Sequence, residues 1–211
     1  HNIDKYKQAK LVMEDAQNLI RNNVDELLLC AKSRLIDPSN PNRFREACSI
    51  RERAIRVAEE CLPEDECAYI IYKYARFLDK NHRFEKALDF YKRAIERYLS
   101  LPENKYLNSF HLEFINLLSP SQNLSLIARS FNLVGNLHNR LGQYQEAEAS
   151  YQKALLLYTV LSNHYPDNDY DHYIFLVKSN LSVLYYQNGK KDEGEKLNQE
   201  IRDQYEELCE A

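Results

Sequence analysis

The 211-residue sequence has no tryptophan, a single methionine, four glycines and six prolines. So little glycine and proline leaves scant material for the tight turns of a strand-rich fold, and an all-helical architecture is what the composition favours. No apolar run approaches the roughly 20 residues of a membrane span, and the opening residues His1 to Lys10 are polar. The expectation is a cytoplasmic protein with no targeting signal in view and no membrane contact. A formal charge of −4, with no basic arm or stripe to neutralise phosphates, argues against a nucleic-acid partner. Five cysteines (Cys30, Cys48, Cys61, Cys67, Cys209) are odd in number and scattered. They form no CxxC pair and have no histidine at metal-ligand spacing, so buried or half-buried free thiols in a reducing compartment are expected, and no metal site. The chain opens on His1 rather than methionine, which fits a piece of a longer protein.

Signatures of catalysis are equally scarce. There is no nucleophile elbow, no HExxH, no glycine loop for phosphates and no paired-carboxylate motif. The histidines His1, His82, His111, His138, His164 and His172 fall in corners, in one packing position and in loops. The reading is a protein that is not an enzyme and takes no cofactor.

What the chain does have is helical periodicity built on aromatic packing units, 16 tyrosines and 8 phenylalanines. Its clearest stretch runs from Ser130 to Leu157. Phe131, Val134, Gly135 and His138 follow the i, i+3, i+4, i+7 spacing of one helix face, and Ala147, Tyr151, Ala154 and Leu155 repeat it after a corner at Leu141, Gly142 and Tyr144. Small residues at Gly135 and Ala147 let two antiparallel helices approach closely. Such a pair cannot bury both faces alone and needs neighbours of its own kind.

This order of aromatic, large-small pair, aromatic, turn glycine, alanine and aromatic resembles the tetratricopeptide repeat, with His138 in the usual tyrosine position. The stretch after Pro63 aligns on it: Ile71, Tyr74 with Ala75, and Leu78, then Phe84, Ala87, Tyr91 and Ala94, with His82 where the turn glycine belongs. A last pair supplies Leu181 with Ser182, Tyr185, Gly189 and Gly194. Its final helix is polar on the outside, as a cap must be. The expected organisation is one solenoid domain over 1–211, with a degenerate first repeat (1–62), a second (64–100), an insertion (101–124), a third (125–165) and a fourth with cap (170–211). The first helix is expected to span Ile3 to Ile36 with a break at Asn22 and Asn23. Within the insertion, Leu107, Phe110, Phe114, Leu117 and Leu118 share one face, which predicts an extra packed helix. The long second helices resemble kinesin light chain repeats. That resemblance implies an all-α solenoid of about four helix pairs, a right-handed superhelix whose first helices line the concave side.

Known members of this family bind peptides on that side. The resemblance carries the inward positions onto Tyr72, Arg76 and Asp79, onto Arg129, Asn132, Asn136 and Arg140, and onto Ser179, Asn180, Val183 and Tyr186. Of these, Tyr72, Arg76, Arg129, Asn132, Asn136, Arg140, Asn180 and Tyr186 are the candidate contacts. The asparagine amides suit an extended peptide backbone, and the arginines suit a carboxylate. Replacing Asn132 and Asn136 by alanine is expected to leave stability nearly unchanged. The lysine-asparagine clamp of chaperone-binding members is not assembled here. The alternative function is a structural, regulatory or homo-oligomerising segment of a larger protein, working through its outer face or an apolar patch at Phe110 and Phe114.

Overall fold

The computed structural model describes residues 2–36, 40–102, 104 and 123–210. Among these residues the secondary structure is eight helices and no strand. They are α1 (Asn2–Ile36), α2 (Arg43–Cys61), α3 (Glu64–Lys80), α4 (Phe84–Ser100), α5 (Leu124–Arg140), α6 (Tyr144–His164), α7 (Tyr170–Gln187) and α8 (Lys191–Glu210). The extra helix expected around Phe110 and Phe114 falls outside the described residues. The chain divides into two compact units, His1–Tyr74 and Ala75–Ala211, with the boundary inside α3.

In the first unit α1 packs on α2. Val24 and Ala31 of α1, Ala47, Ala54, Ile55 and Ala58 of α2, and Cys67, Ala68 and Ile71 of α3 are all buried. The expected break at Asn22 and Asn23 does not occur, and α1 continues through it. Two asparagines cost a helix only about 1 kcal/mol together, less than the burial of the residues that follow. Polar ties complete the unit: the Tyr74 hydroxyl donates to Glu52 at 2.9 Å, and the Cys67 thiol donates to the Ala58 carbonyl at 2.9 Å. Burial and hydrogen bonds to Cys48 and Glu52 push the Tyr74 phenol far above its usual range. Cys48 and Cys67 are buried free thiols, but Cys30 and Cys61 are exposed. The expectation of burial therefore fails for those two, which lie on the solvent side of α1 and at the open end of α2.

In the second unit α5 packs on α4 and α6, α6 on α7, and α7 on α8 and α5. This is the pattern of hairpins stacked so that each covers the face its neighbour cannot. Leu78, Tyr91, Tyr98, Ile127, Leu137, Tyr151, Leu157 and Leu161 are among its largest buried side chains. Gly135 does admit a close neighbour. That neighbour is the Tyr151 ring, not the α6 backbone.

Three hairpin corners share one hydrogen-bond geometry. Arg83 donates to the Leu78 carbonyl, Gln143 to that of His138, and Lys190 to that of Tyr185, at 2.9, 2.9 and 2.8 Å. This is the six-residue closure of a helix whose next residue turns left-handed. The left-handed residues are Gly142 (φ 73°), Gly189 (φ 76°) and, alone among non-glycines in the described residues, His82 (φ 58°).

Candidate functional site: the first-helix face of the second unit

Four-residue spacing sets Asn132, Asn136 and Arg140 along one face of α5, with Arg129 three residues before them. The neighbouring face of α7 carries Leu176, Ser179, Val183 and Tyr186. The two rows meet where Asn180 Nδ2 donates to Asn132 Oδ1 at 3.0 Å. At one end Arg140 lies 3.7 Å from Asp79 and over the ring of Phe84, 5.1 Å from its centre. At the other, Arg129 borders a cavity of about 380 Å³ walled by Tyr158, Tyr170 and Tyr173. Tyr158 and Tyr173 stack there with centroids 5.1 Å apart.

The candidate contacts divide by burial. Arg129, Arg140 and Tyr186 are exposed, while Arg76, Asn136 and Asn180 are half-buried. Tyr72, in the first unit, is only 2% exposed, so it packs rather than faces a ligand. Asn132 is 6% exposed and holds α5 to α7 through Asn180. The Asn136 amide oxygen accepts from the Tyr151 hydroxyl at 2.7 Å, and burial pushes that phenol well above its usual range. Both asparagines thus serve internal contacts. The expectation that removing them leaves stability unchanged does not fit this geometry, because each loss would strand a partner.

Leu176 escaped the sequence reading. It is 43% exposed, beside Val183 at 52% and Tyr186 at 41%. Its seven-residue spacing from Val183 was the available signal. The opposite side of α7 is apolar too, with Val177, Leu181 and Leu184 buried. A helix apolar on two sides is one that two neighbours are built to cover.

The wall behind this face is pinned by a knot of three side chains. The Tyr185 hydroxyl and the Lys190 ammonium donate to the two Glu148 oxygens at 3.0 and 2.9 Å, and Lys190 lies 5.3 Å from the Tyr185 ring centre. The Glu148 bond raises the Lys190 pKa, while burial, then that same carboxylate, raises Tyr185. Among the described residues no group of three His, Cys, Asp or Glu is placed to hold a metal ion. No described helix is long and apolar enough to cross a membrane.

A tetratricopeptide repeat model matches residues 127–169. No curated protein matches the chain. Among solved structures, the Q17M form of a Podospora anserina kinesin light chain-like protein with nearly identical TPR-like repeats is 13% identical. The match covers 100% of this chain and 95% of that one, with a TM-score of 0.54. The form without that substitution is also 13% identical, over 96% and 92%, with a TM-score of 0.50. MamA is 16% identical over 98% and 96%, with a TM-score of 0.49. The fold is that of a TPR-like α-solenoid of the kinesin light chain-like kind.

Proposed function

From a tetratricopeptide repeat at residues 127–169, in a chain with the kinesin light chain-like repeat fold, we propose a module that holds an extended segment of a partner protein. The segment lies on the concave, first-helix face of the second unit. Repeats of this kind serve protein–protein interaction and scaffolding in general, and the family is generally non-catalytic.

The observation that carries the reading is the second apolar stripe of α7. Leu176, Val183 and Tyr186 stand half-exposed in line, and Arg129 and Arg140 flank them from α5. The stripe supplies apolar burial, and the arginines supply charge-assisted contacts that fix register. Asn132, Asn136 and Asn180 set the spacing of the two helices beneath, and Asn180 keeps its carbonyl oxygen for a peptide N–H. Free thiols at Cys48 and Cys67 support a reducing, cytoplasmic setting.

The test is selection of a random peptide library on the wild type and on a Leu176→Gln, Val183→Gln variant. Both positions are solvent-facing, so the variant should melt with the wild type. Peptides enriched by the wild type alone support the face. If the two proteins enrich the same peptides, the face is not the binding surface.

A further inference from the structure

Arg129 lines the tyrosine-walled cavity of the second unit, and among the described residues it makes no hydrogen bond, ion pair or ring contact. Arg140, by contrast, is paired with Asp79. Ser125, one turn before Arg129 on the same face of α5, lines the cavity as well. The one carboxylate in the wall, that of Asp169, is committed to its own helix. Its Oδ1 accepts from the His172 backbone N–H at 3.3 Å and caps α7. The start of α5 has no such carboxylate: Asn123 makes no side-chain cap bond, and the first turn carries no acidic residue. A guanidinium, a hydroxyl and the His172 ring thus border one cavity with a single, already engaged anion beside them.

The rest of the wall is aromatic. Tyr158 is 2% exposed, and the centroids of Tyr158, Tyr170 and Tyr173 lie 5.1 to 6.5 Å apart, with the His172 ring edge-on to Tyr173 at 5.6 Å. Rings packed on one another make a broad surface, not a cage around a central point. A methylated ammonium would find no enclosure there, and Arg129 would repel it. A flat aromatic group gains by packing on such a wall. The volume of about 380 Å³ lies at the lower end of ligand pockets, enough for one ring and its substituent.

The donors indicate which substituent. A carboxylate brings two oxygens and one charge. A phosphate ester brings three acceptor oxygens and a charge of about −1.5 to −2 at neutral pH. That is the better match to a guanidinium, a hydroxyl and an imidazole. We propose that the cavity receives a phosphotyrosine side chain of the partner segment, its ring against the tyrosine wall and its phosphate at Arg129 and Ser125. The inference rests on the reading of the first-helix face as a peptide-binding surface. It makes docking conditional on phosphorylation of the partner, since only the modified side chain brings the countercharge to Arg129.

Isothermal titration of the 211-residue chain with N-acetyl-O-phosphotyrosine amide tests it. The wild type should bind with a dissociation constant of about a millimolar or below. N-acetyltyrosine amide, which lacks the phosphate, and inorganic phosphate, which lacks the ring, should each bind roughly tenfold more weakly or worse. Arg129→Gln, at an exposed position, should keep its helix content and lose about tenfold or more in affinity, while Arg129→Lys should keep part of it. No binding by the wild type would overturn the proposal, and so would binding that Arg129→Gln leaves unchanged. Tighter binding of adenosine monophosphate would make the cavity a site for a free nucleotide, and binding of tetramethylammonium would make it a cation site; either result overturns it. The Leu176→Gln, Val183→Gln variant should bind the blocked phosphotyrosine as the wild type does. A failed peptide selection with a successful titration would therefore sink the stripe and leave the cavity, and the reverse pair of results would sink the cavity alone.

Discussion

The ring of Tyr151 occupies the space that a side chain at Gly135 would need: a Cβ there would lie 2.6 Å from the ring atoms Cδ1 and Cε1. The ring cannot retreat easily. Tyr151 is 1% exposed, and its hydroxyl is tied to Asn136 on the helix that carries Gly135. The pair is therefore a lock between α5 and α6, made by one missing side chain and one large one.

Gly135→Ala opposes two effects. Alanine gains roughly 0.5 to 1 kcal/mol of helix propensity, but overpacking a filled site costs about 1 to 3 kcal/mol. The contact at 2.6 Å decides for overpacking, so the expected outcome is a net loss of about 1 to 2 kcal/mol in urea unfolding. In a Tyr151→Leu background the same change should be neutral or stabilising. An equal cost in both backgrounds would mean that the ring is not what Gly135 accommodates.

His82 gives a change of opposite sign. It holds φ 58° at the corner where Gly142 and Gly189 stand in the equivalent places. A left-handed non-glycine residue costs roughly 1 kcal/mol, and His82→Gly should recover most of it. An edge-to-face contact with Phe84, centroids 5.7 Å apart, is lost in exchange. That contact is worth about 0.5 kcal/mol or slightly more, so the gain should be a few tenths of a kcal/mol. Gly142→Ala, with nothing within 4 Å of its Cβ, should lose about 1 kcal/mol from backbone strain alone. A lower melting temperature for His82→Gly would sink the assignment of that strain.

Much of this architecture can be read in advance, for local reasons. Pro41 and Pro63 stand at breaks between helices, Gly142 and Gly189 mark corners that need a left-handed residue, and Ala47, Ala87 and Ala147 mark crossings where bulk is excluded. Those signals act within a few residues of chain. The use of Asn132 cannot be read so, because its partner is 48 residues away on a helix two along. Tyr72 likewise shares a helix with exposed Tyr69, and only the neighbouring helix decides which of the two is covered. The exposure of Met13 on α1 was equally hidden, because Met13 shares a helix face with the buried Val24 and Ala31. What decides it is the length of α2, which no pattern within α1 records.

Asn132→Ala should cost about 1 kcal/mol, the net worth of one partly buried hydrogen bond. Asn180→Ala should cost at least as much, because it strands the more buried oxygen of Asn132. If the bridge is the common cause, the double variant costs less than the sum of the singles, as expected for residues sharing one interaction. Additive costs in thermal unfolding would show that each asparagine is held by something else.

Arg21 and Glu66 supply the pH prediction. The guanidinium meets both carboxylate oxygens, at 2.8 and 2.6 Å, and this paired hydrogen bonding holds Glu66 below its ordinary value of 4.5 against the opposing effect of burial. A carboxylate whose pKa falls on folding adds stability that is complete above its unfolded value and is lost as the pH drops through the folded one. The side chains are 35% and 33% exposed, so solvent and salt screen the pair and its contribution is small. Wild type should therefore melt above Glu66→Gln near neutral pH. The gap should begin to close below about pH 4.5 and vanish once the folded carboxylate is protonated, and added salt should narrow it at every pH where it exists. A gap that stayed constant down to strongly acidic pH would rule out ionisation of Glu66 as its source, leaving only the change of shape between acid and amide.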